Sequence, residues 1–137
     1  MKIRQIMSTQ VHLMSPQQTI RDAARKMSEE DVGALPIAES DRLVGMITDR
    51  DIAIRAVAEG KGPTTKVRDV MTSDVKYCFE DEELEHVSQN MADIQMRRLP
   101  VMDCDKRLVG IVSLADLATK SDGTHAGEAL GGISQPR

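Results

Sequence analysis

The sequence repeats itself at an offset of 64 residues, and this duplication constrains the fold more than any other feature. When residues 1–53 are aligned with the second copy, fourteen of the 53 pairs are identical and only Lys106 is skipped. The segment RLVG at 42–45, for example, recurs at 107–110. Self-similarity on this scale is typical of one structural unit used more than once. The sequence therefore predicts two tandem repeats, over residues 1–64 and 65–120.

Each repeat shows the same order of elements. In the first repeat, Ile20, Ala23 and Met27 have the i, i+3, i+7 spacing of one buried helix face. A hairpin of two short strands follows this helix, and a second helix begins at Thr48 or, in the second repeat, at Ser113. The pattern predicts an α+β fold of two β-α-β-β-α repeats. Because a unit of about 60 residues is marginal alone, we expect the repeats to pack with pseudo-two-fold symmetry.

Local signals predict where the first helix of each repeat begins and where the fold ends. The segment SPQQ at 15–18 has the form of a capping box with proline at the first helical position. Its counterpart, EDEE at 80–83, places carboxylates at a helix start, where they are favourable. Residues 121–137 are rich in Gly and Ser without hydrophobic periodicity, which predicts a flexible C-terminal tail.

Composition excludes several classes of protein. A net charge of −4 disfavours a nucleic-acid-binding surface, and a single Tyr and a single Phe provide no platform for stacked bases. The chain lacks an apolar run of about 18 residues, so we expect no membrane span and a cytoplasmic protein. Cys78 and Cys104 lack the spacing of metal ligands, so the sequence predicts reduced thiols and no metal site.

The most specific candidate for chemistry is a hydroxyl followed three residues later by a carboxylate, Thr48 with Asp51 and Ser113 with Asp116. This spacing fits a capping box, in which the two side chains bond to each other's backbone amide. It also fits a ligand site, because free amides at a helix start attract phosphate and a carboxylate can accept ribose hydroxyls. The residues alone leave both interpretations open.

Each of these motifs is preceded by a strand that contains proline, Pro36 in the first repeat and Pro100 in the second. Proline cannot donate to a strand ladder, so this position predicts an unpaired strand edge. Such an edge is either protected against aggregation by the proline or forms the apolar border of a cleft shared with the helix start. Both interpretations remain open.

Together these residues resemble a pair of CBS domains, the arrangement called a Bateman module, over residues 1 to about 120. The resemblance rests on VRDVMT at 67–72, RRLPV at 97–101 and LVGIV at 108–112, with counterparts in the first repeat. The segments VGALPI at 32–37 and GMITDRDI at 45–52 are most similar to stand-alone bacterial pairs of the hypoxic-response type. The resemblance implies that AMP, ADP, ATP or a related adenosyl ligand such as NAD or S-adenosylmethionine binds in clefts between the repeats.

The resemblance also implies roles for individual residues. Asp51 and Asp116 would hold ribose hydroxyls, while Thr48 and Ser113 would face phosphate. The strand backbone that would border adenine is that of Ala34, Leu35, Pro36, Arg98, Leu99 and Pro100.

The two repeats depart from each other and from the family pattern at this site. Many family members have Thr in the first strand, where this chain has Leu13 and Tyr77. By charge and forked geometry, three arginines are candidate phosphate ligands: Arg50, Arg97 and Arg98. Each of them lacks an arginine counterpart in the other repeat, so we expect the two clefts to be unequal.

These observations predict a non-enzymatic regulatory module that binds an adenine nucleotide, since we recognise no catalytic arrangement of side chains. One alternative is an interaction or scaffold protein with the same architecture and no significant ligand affinity. Another is a small nucleotide-processing enzyme. A homodimer is also expected, because the second helices offer apolar surface at Ile52, Ala53, Ala56, Val57, Leu114 and Leu117.

Overall fold

The computed structural model describes residues 1–121 and 124–136, and the chain divides into two compact units. The first unit is His12–Val75, and the second combines Met1–Val11 with Lys76–Arg137. The segment that opens the first repeat therefore belongs to the unit that holds most of the second repeat. The repeat boundaries at 64 and 65 stay a prediction from sequence.

The first unit contains a helix, a hairpin and a second helix. Its elements are α1 (Ile20–Glu30), β1 (Ala34–Glu39), β2 (Arg42–Thr48) and α2 (Asp49–Asp51), which continues as a π-helix over Ile52–Val57. The two strands are antiparallel, with Leu35 paired with Ile47. The buried core consists of Met14, Ile20, Ala23, Met27, Leu35, Ile37, Ile47, Ala56, Val67 and Val70.

The second unit repeats this order and adds a strand and a helix. Its elements are β3 (Cys78–Phe79), α3 (Leu84–Ile94), β4 (Arg98–Met102), β5 (Leu108–Ser113), α4 (Leu114–Lys120) and α5 (Thr124–Ile133). In the sheet, β4 lies between β3 and β5, parallel to the former and antiparallel to the latter. The buried core consists of Ile3, Ile6, Cys78, Leu84, Val87, Met91, Leu99, Val101, Val112, Leu117, Ala126 and Ala129.

The opening segment of each repeat forms a short 3₁₀ turn, Ile3–Gln5 in the second unit and Val67–Asp69 in the first. The segment then pairs with the second hairpin strand of its unit. Ser8 and Ile111 exchange backbone hydrogen bonds of 2.8 and 2.9 Å, and Thr72 and Met46 do the same at 2.8 and 2.9 Å. The duplication therefore extends to how the opening segments are held.

The predicted α+β class with small sheets is confirmed, and both hairpins lie where the sequence placed them. The short strand before the first helix of each repeat, which the apolar segments at 11–13 and 75–77 predict, was placed wrongly. A strand over 11–13 is not found; Met14 instead makes a single bridge with Ile37. In the second repeat the strand is Cys78–Phe79 rather than 75–77. These strands are only one or two residues long, so the position of the neighbouring strand in the fold, rather than a local sequence pattern, determines where they form.

The expected start of the first helix was wrong by four residues. Ser15 and Gln18 form only half of a box: the amide of Ser15 donates to the Gln18 side chain at 2.9 Å, but the Ser15 hydroxyl accepts from the amide of Gln17, and the segment closes a turn. The helix is capped by Thr19, whose hydroxyl accepts from the amide of Asp22 at 3.1 Å while the Asp22 carboxylate accepts in return. The two segments give the same sequence signal, and only the second is followed by the apolar face.

The start of α3 is held by the chain's own N-terminal residues. Glu83 is the N-cap residue but makes no side-chain cap hydrogen bond. Its carboxylate instead accepts from the Lys2 ammonium at 2.7 Å and from the N-terminal amine at 3.3 Å. These hydrogen bonds, that of Lys2 first, lower the pKa of Glu83. The acidic run at 80–83 therefore has two roles: it lies at the start of α3, and it forms ion pairs with a distant segment of the chain.

The prediction of a flexible tail was wrong over Thr124–Ile133, where the chain forms α5. Residues 122, 123 and 137 of that predicted tail lie outside the described residues. Ala126 and Ala129 are buried, and Gly132 packs so closely on Ala92 that a Cβ atom at this position would clash. Because small residues make this contact, the helix lacks the large apolar side chains that reveal a buried face in a sequence.

The prediction that the proline strands present an unpaired edge was also wrong. Pro100 lies in β4, the central strand of its sheet. In the first unit the carbonyl of Pro36 accepts from Met14 at 3.2 Å, and Ala38 donates to Met14 at 2.9 Å. The nitrogen of Pro36 has no hydrogen to donate, but the bridge with Met14 uses only the carbonyl group of the proline. The proline is therefore compatible with strand pairing at this position.

Over the described ranges, we find no helix with the length and apolar character that a membrane crossing requires.

Candidate functional site

Both hydroxyl–carboxylate motifs form the reciprocal hydrogen bonds of a capping box. The Thr48 hydroxyl accepts from the amide of Asp51 at 3.0 Å, and Asp51 Oδ2 accepts from the amide of Thr48 at 3.0 Å. The corresponding distances between Ser113 and Asp116 are 3.1 and 2.9 Å. The structural interpretation is therefore realised in each unit. It does not exclude ligand binding, since the box uses one oxygen of each carboxylate.

The second oxygen of each carboxylate faces a cation four residues further along the helix. Asp51 Oδ1 lies 4.0 Å from Arg55 Nε, and Asp116 Oδ1 lies 3.2 Å from Lys120 Nζ. The carboxylate side chains are only 16% and 14% exposed. Each carboxylate is therefore oriented from two sides and still reaches the surface.

The same cations fix the opening segments. Arg55 donates to the carbonyls of Val70 and Met71, each at 3.2 Å, and Lys120 donates to the carbonyl of Ile6 at 3.2 Å. Sequence reasoning missed both cations. The signal that could have found them is the i, i+4 spacing from an acidic residue on a helix. We call each arrangement of hydroxyl, carboxylate and cation a carboxylate site.

The strands that were expected to border adenine contribute backbone more than side chains. Leu35 and Leu99 belong to the two cores, and Pro36 and Pro100 are buried as well. Ala34, at the start of β1, is half-buried. The leucines and prolines therefore offer no side chain to a ligand without opening the core, whereas the side chain of Arg98 is exposed.

The two positions where the family pattern has Thr are both exposed in this chain. Leu13 precedes the bridge of Met14, and Tyr77 precedes β3. The Tyr77 ring makes an edge-on contact with Phe79, with ring centroids 5.6 Å apart. An aliphatic and an aromatic surface thus replace two hydroxyls, and the replacement differs between the units.

The residues between the second helix and the proline strand carry different charges in the two units. In the first unit Asp49 lies there, and a Cβ atom added to Gly33 would be 3.1 Å from its Oδ2 atom. Arg50 is exposed beside it. In the second unit the residue that replaces Gly33 is Arg97, and its carbonyl accepts from the amide of Leu114 at 2.9 Å. The expected inequality of the repeats is therefore concentrated at this position.

A cleft of about 730 Å³ in the second unit brings three predicted site residues together: Arg97, Arg98 and Ser113. We call it the α4–α5 cleft. Its remaining lining residues are Leu114, Ala115, Ala118, Ala126, Gly127 and Leu130. The last three belong to α5, which the sequence placed in a flexible tail.

Asp116 is not part of the lining of the α4–α5 cleft. At about 100° per residue, Asp116 lies about 100° from Ala115 and about 160° from Ala118 around the helix. The structure therefore does not bring the arginine pair, Arg97 and Arg98, into one cleft with the carboxylate of the same unit.

The family comparison accounts for the whole pattern of repeated segments. The family model of the CBS domain matches residues 3–57 and 67–123. The chain is 45% identical over 133 residues to the CBS domain-containing protein YhcV of Bacillus subtilis, an alignment that covers 96% of this chain and 94% of YhcV.

Solved structures of CBS proteins are also similar to this chain. The crystal structure of Hypoxic Response Protein I with two coordinated zinc ions matches with a TM-score of 0.79 and 38% identity, covering 86% of this chain and 97% of that one. The CBS domain pair of protein MJ0100, in complex with 5′-methylthioadenosine and S-adenosyl-L-methionine, matches with a TM-score of 0.76 and 30% identity. This match covers 86% of this chain and 93% of the MJ0100 chain.

For the zinc ions of Hypoxic Response Protein I, the described residues of this chain provide no matching set of donors. Residues 1–121 and 124–136 contain no group of three or more His, Cys, Asp or Glu side chains placed to hold a metal ion. Cys78 is buried, and burial followed by the charge of Glu82 raises the pKa of its thiol to about 12. Cys104 is exposed in the turn between β4 and β5.

Domain pairs of this kind are typically regulatory, and the pair of MJ0100 binds adenosyl ligands. The repeat, the two hairpins, the duplicated carboxylate sites and the match of both halves to one family model lead to a single assignment. The chain belongs to the CBS domain family and is a tandem pair of CBS domains.

Proposed function

We propose that this protein is a non-enzymatic regulatory module that binds an adenine nucleotide or a related adenosyl ligand at its carboxylate sites. The observation that carries the proposal is the duplication of a carboxylate that is fixed from two sides and reaches the surface. The adenosyl ligands of the MJ0100 pair support the ligand class. AMP, ADP and ATP are the first ligands to test, followed by NAD and S-adenosylmethionine.

In this proposal Asp51 and Asp116 accept the hydroxyl groups of a ribose through Oδ1. The opposite oxygen is held by the capping box, so the acceptor is positioned before the ligand arrives. Thr48 and Ser113 act as donors, because a hydroxyl that accepts a hydrogen bond keeps its own proton to donate. The backbone around Ala34 and Arg98, at the starts of β1 and β4, borders the base.

Removing either carboxylate is expected to weaken one binding event. A hydrogen bond to a charged group contributes about 1.5 to 3 kcal/mol, so Asp51→Ala and Asp116→Ala should each lower the affinity of one site about tenfold or more. Titration calorimetry with AMP and with S-adenosylmethionine measures both affinity and stoichiometry. Unchanged affinity at both sites in both variants would contradict the ribose assignment.

The matched control for these variants is Asp22→Ala. Asp22 closes the capping box of α1 with Thr19, so its removal costs the same kind of local hydrogen bonds. Loss of a cap costs about 0.5 to 2 kcal/mol of stability. The control variant should therefore be destabilised like the others and bind ligand like the wild type.

A thermal-shift screen with the five ligands separates this function from its alternatives. A ligand at 100 times its dissociation constant stabilises the fold by about 2.7 kcal/mol, which is readily measured as a rise in Tm. Stabilisation by none of the five would favour the interaction or scaffold protein. Conversion of a nucleotide during incubation, seen by chromatography of the products, would favour an enzyme.

We also propose that the protein forms a homodimer through the end of the second helix of the first repeat. Val57, which the sequence suggested, is 67% exposed there, and Ile54, which the sequence did not single out, is 52% exposed; Ala56 and Leu117, two other suggested positions, are buried. Light scattering is expected to give twice the chain mass of 15.1 kDa. Ile54→Lys should shift the species toward the monomer, since a charge in an apolar contact is costly. A monomer in the wild type at micromolar concentration would refute the proposal.

A further inference from the structure

Helix α5 packs on one side of α3. A Cβ atom at Gly132 would lie 2.8 Å from the Cα atom of Ala92, so the two helices are in close contact at this point. Near the end of α3, the side chain of Gln95 donates to the carbonyls of Gly132 and Gln135 at 3.2 and 2.7 Å. We call the side of α3 that faces α5 the α3 flank, and its residues are Glu85, Ser88, Gln89, Ala92 and Gln95.

Helix α5 is held there without a large apolar anchor. Its buried residues are Ala126 and Ala129, each with a single methyl group, whereas Leu130 is 44% exposed. Three of its ten residues are glycine, which lowers its helix propensity. Because the gain from burial grows with the apolar area removed from water, α5 is held less firmly than α4, where Leu117 is fully buried.

The first unit has the same flank with its side chains exposed. Helices α1 and α3 have eleven residues each and align without a gap at the offset of 64 residues. In the second unit Ser88 is 3% exposed beside α5. The α1 residues that correspond to the α3 flank are all exposed, and we call them the α1 flank: Arg21, Ala24, Arg25, Ser28 and Asp31.

The two flanks differ in charge at their first turn. Arg21 stands in α1 where α3 has Glu85, and Arg25 stands where α3 has Gln89. In the second unit a basic side chain of α5 faces this turn, since His125 Nε2 lies 3.8 Å from Glu85 Oε1. The α1 flank of another copy of this chain would bring two arginines to the position that His125 occupies. Charge complementarity therefore favours the α1 flank as an alternative partner of the α3 flank.

Both flanks also have the small residues that let two helices approach closely. The α1 flank has Ala24 and Ser28, and the α3 flank has Ser88 and Ala92. Residues four positions apart lie side by side on one face of a helix, and rows of this spacing interdigitate when helices pack. On the α3 flank a helix is seated on this row, which shows that the surface accepts one.

We propose that α5 is an autoinhibitory cap on the α3 flank, which otherwise receives the α1 flank of a second copy of this chain. The contact joins two different surfaces, so it is heterologous and builds rings or open chains of molecules rather than a two-fold dimer. It is separate from the proposed homodimer contact at Ile54 and Val57 and does not involve the carboxylate sites. Release of α5 therefore allows the protein to form larger assemblies.

Two substitutions release α5 without changing either flank. Gly132→Leu places a side chain against the backbone of Ala92. Ala129→Asp places a charge at a fully buried position of α5. Gly131→Leu is the matched control, because a Cβ atom at Gly131 meets nothing within 4 Å.

Hydrogen exchange verifies the release. The amides of α5 should lose protection in both release variants, while those of α3 and β4 keep it. If α5 stays as protected in both variants as in the wild type, or if protection is lost across the whole unit, α5 is an integral part of the fold and the proposal is overturned.

Light scattering measures the assembly. Each release variant should have at least about twice the mass of the wild type at the same concentration, and this mass should rise with concentration, as expected for a heterologous contact. Gly131→Leu should match the wild type. A variant with unprotected α5 amides and the wild-type mass would overturn the cap.

Charge reversal on α1 identifies the occupant. Arg21→Glu combined with Arg25→Glu should return Gly132→Leu to the mass of the wild type. The control is Arg42→Glu combined with Arg107→Glu, which makes the same change of charge at exposed positions of the two hairpins and should leave the assembly intact. Assembly that survives reversal of the α1 flank, or that both pairs abolish equally, would overturn the α1 flank as the partner.

The homodimer contact is tested apart from this one. Ile54→Lys combined with Gly132→Leu should still give a mass that rises with concentration, because the α1 and α3 flanks are unchanged. High salt should reduce this mass, since exposed ion pairs are screened. Loss of the concentration-dependent assembly with Ile54→Lys would overturn the proposal of a separate contact, whereas a monomeric wild type would refute the homodimer alone.

Discussion

Gly110→Ala is expected to lower the free energy of unfolding by about 3 kcal/mol or more. A Cβ atom at Gly110 would lie 2.8 Å from the carbonyl oxygen of Ser8 and 2.8 Å from the sulfur of Met7. The Met7 side chain can move, but the Ser8 carbonyl accepts the hydrogen bond of Ile111 and is held in place. Overpacking of this kind usually costs about 1 to 3 kcal/mol and more where backbone must shift.

The first unit contains a matched site with a milder contact. At Gly45 a Cβ atom would lie 3.0 Å from the carbonyl oxygen of Thr72 and 2.5 Å from the sulfur of Met71. Gly45→Ala should therefore destabilise less than Gly110→Ala, because more of the conflict is with a flexible side chain. Gly62→Ala, where a Cβ atom meets nothing within 4 Å, is the control. Urea unfolding followed by circular dichroism compares the three, and equal stability of Gly110→Ala and the control would contradict the packing argument.

These glycines show what the repeat did and did not predict. Gly45 and Gly110 were found as an identical pair in the alignment of the two copies. The alignment gave no reason for the identity. That reason is the close approach of an opening segment from the other repeat, a contact between residues more than 25 positions apart. A repeat pattern predicts that two units are alike, but not which segment of the chain completes each core.

Elements with strong local signals were placed well. Both hairpins have apolar residues on either side of a polar turn, and they form where expected. The start of α1 was misplaced because Ser15 with Gln18 satisfies the same local rule as Thr19 with Asp22. Helix α5 was missed because its buried contacts are made by small residues, Ala126, Ala129 and Gly132. Such residues do not produce the periodic pattern of large apolar side chains that marks a buried helix face.

The candidate site likewise has features that the sequence predicted and features that it did not. The spacing of Thr48 with Asp51 and of Ser113 with Asp116 predicted reciprocal contacts, and these are present in both units. The side of the helix on which each group lies could not be found from adjacency in sequence. Arg98 is close to Ser113 in space, yet it faces a cleft whose other wall is a helix the sequence did not predict.

The two thiols are expected to differ in reactivity by a factor of about a thousand or more. Burial, followed by the charge of Glu82, raises the pKa of the Cys78 thiol from its ordinary value to about 12. A rise of about three units lowers the thiolate fraction at pH 8 by about a thousandfold, and the thiolate is the reactive form. Cys104 is exposed in the β4–β5 turn and is the internal comparison.

The measurement is the time course of reaction with 5,5′-dithiobis(2-nitrobenzoic acid) at pH 8. One thiol per chain should react rapidly in the folded protein, and the second only at the rate at which the second unit opens. In Cys104→Ser the fast phase should disappear, whereas in guanidinium chloride the remaining thiol should react at once. Two fast thiols in the folded wild type would contradict the burial of Cys78 in β3. A slow phase that accelerates in Gly110→Ala would link its reaction to opening of this unit, because destabilised units open more often.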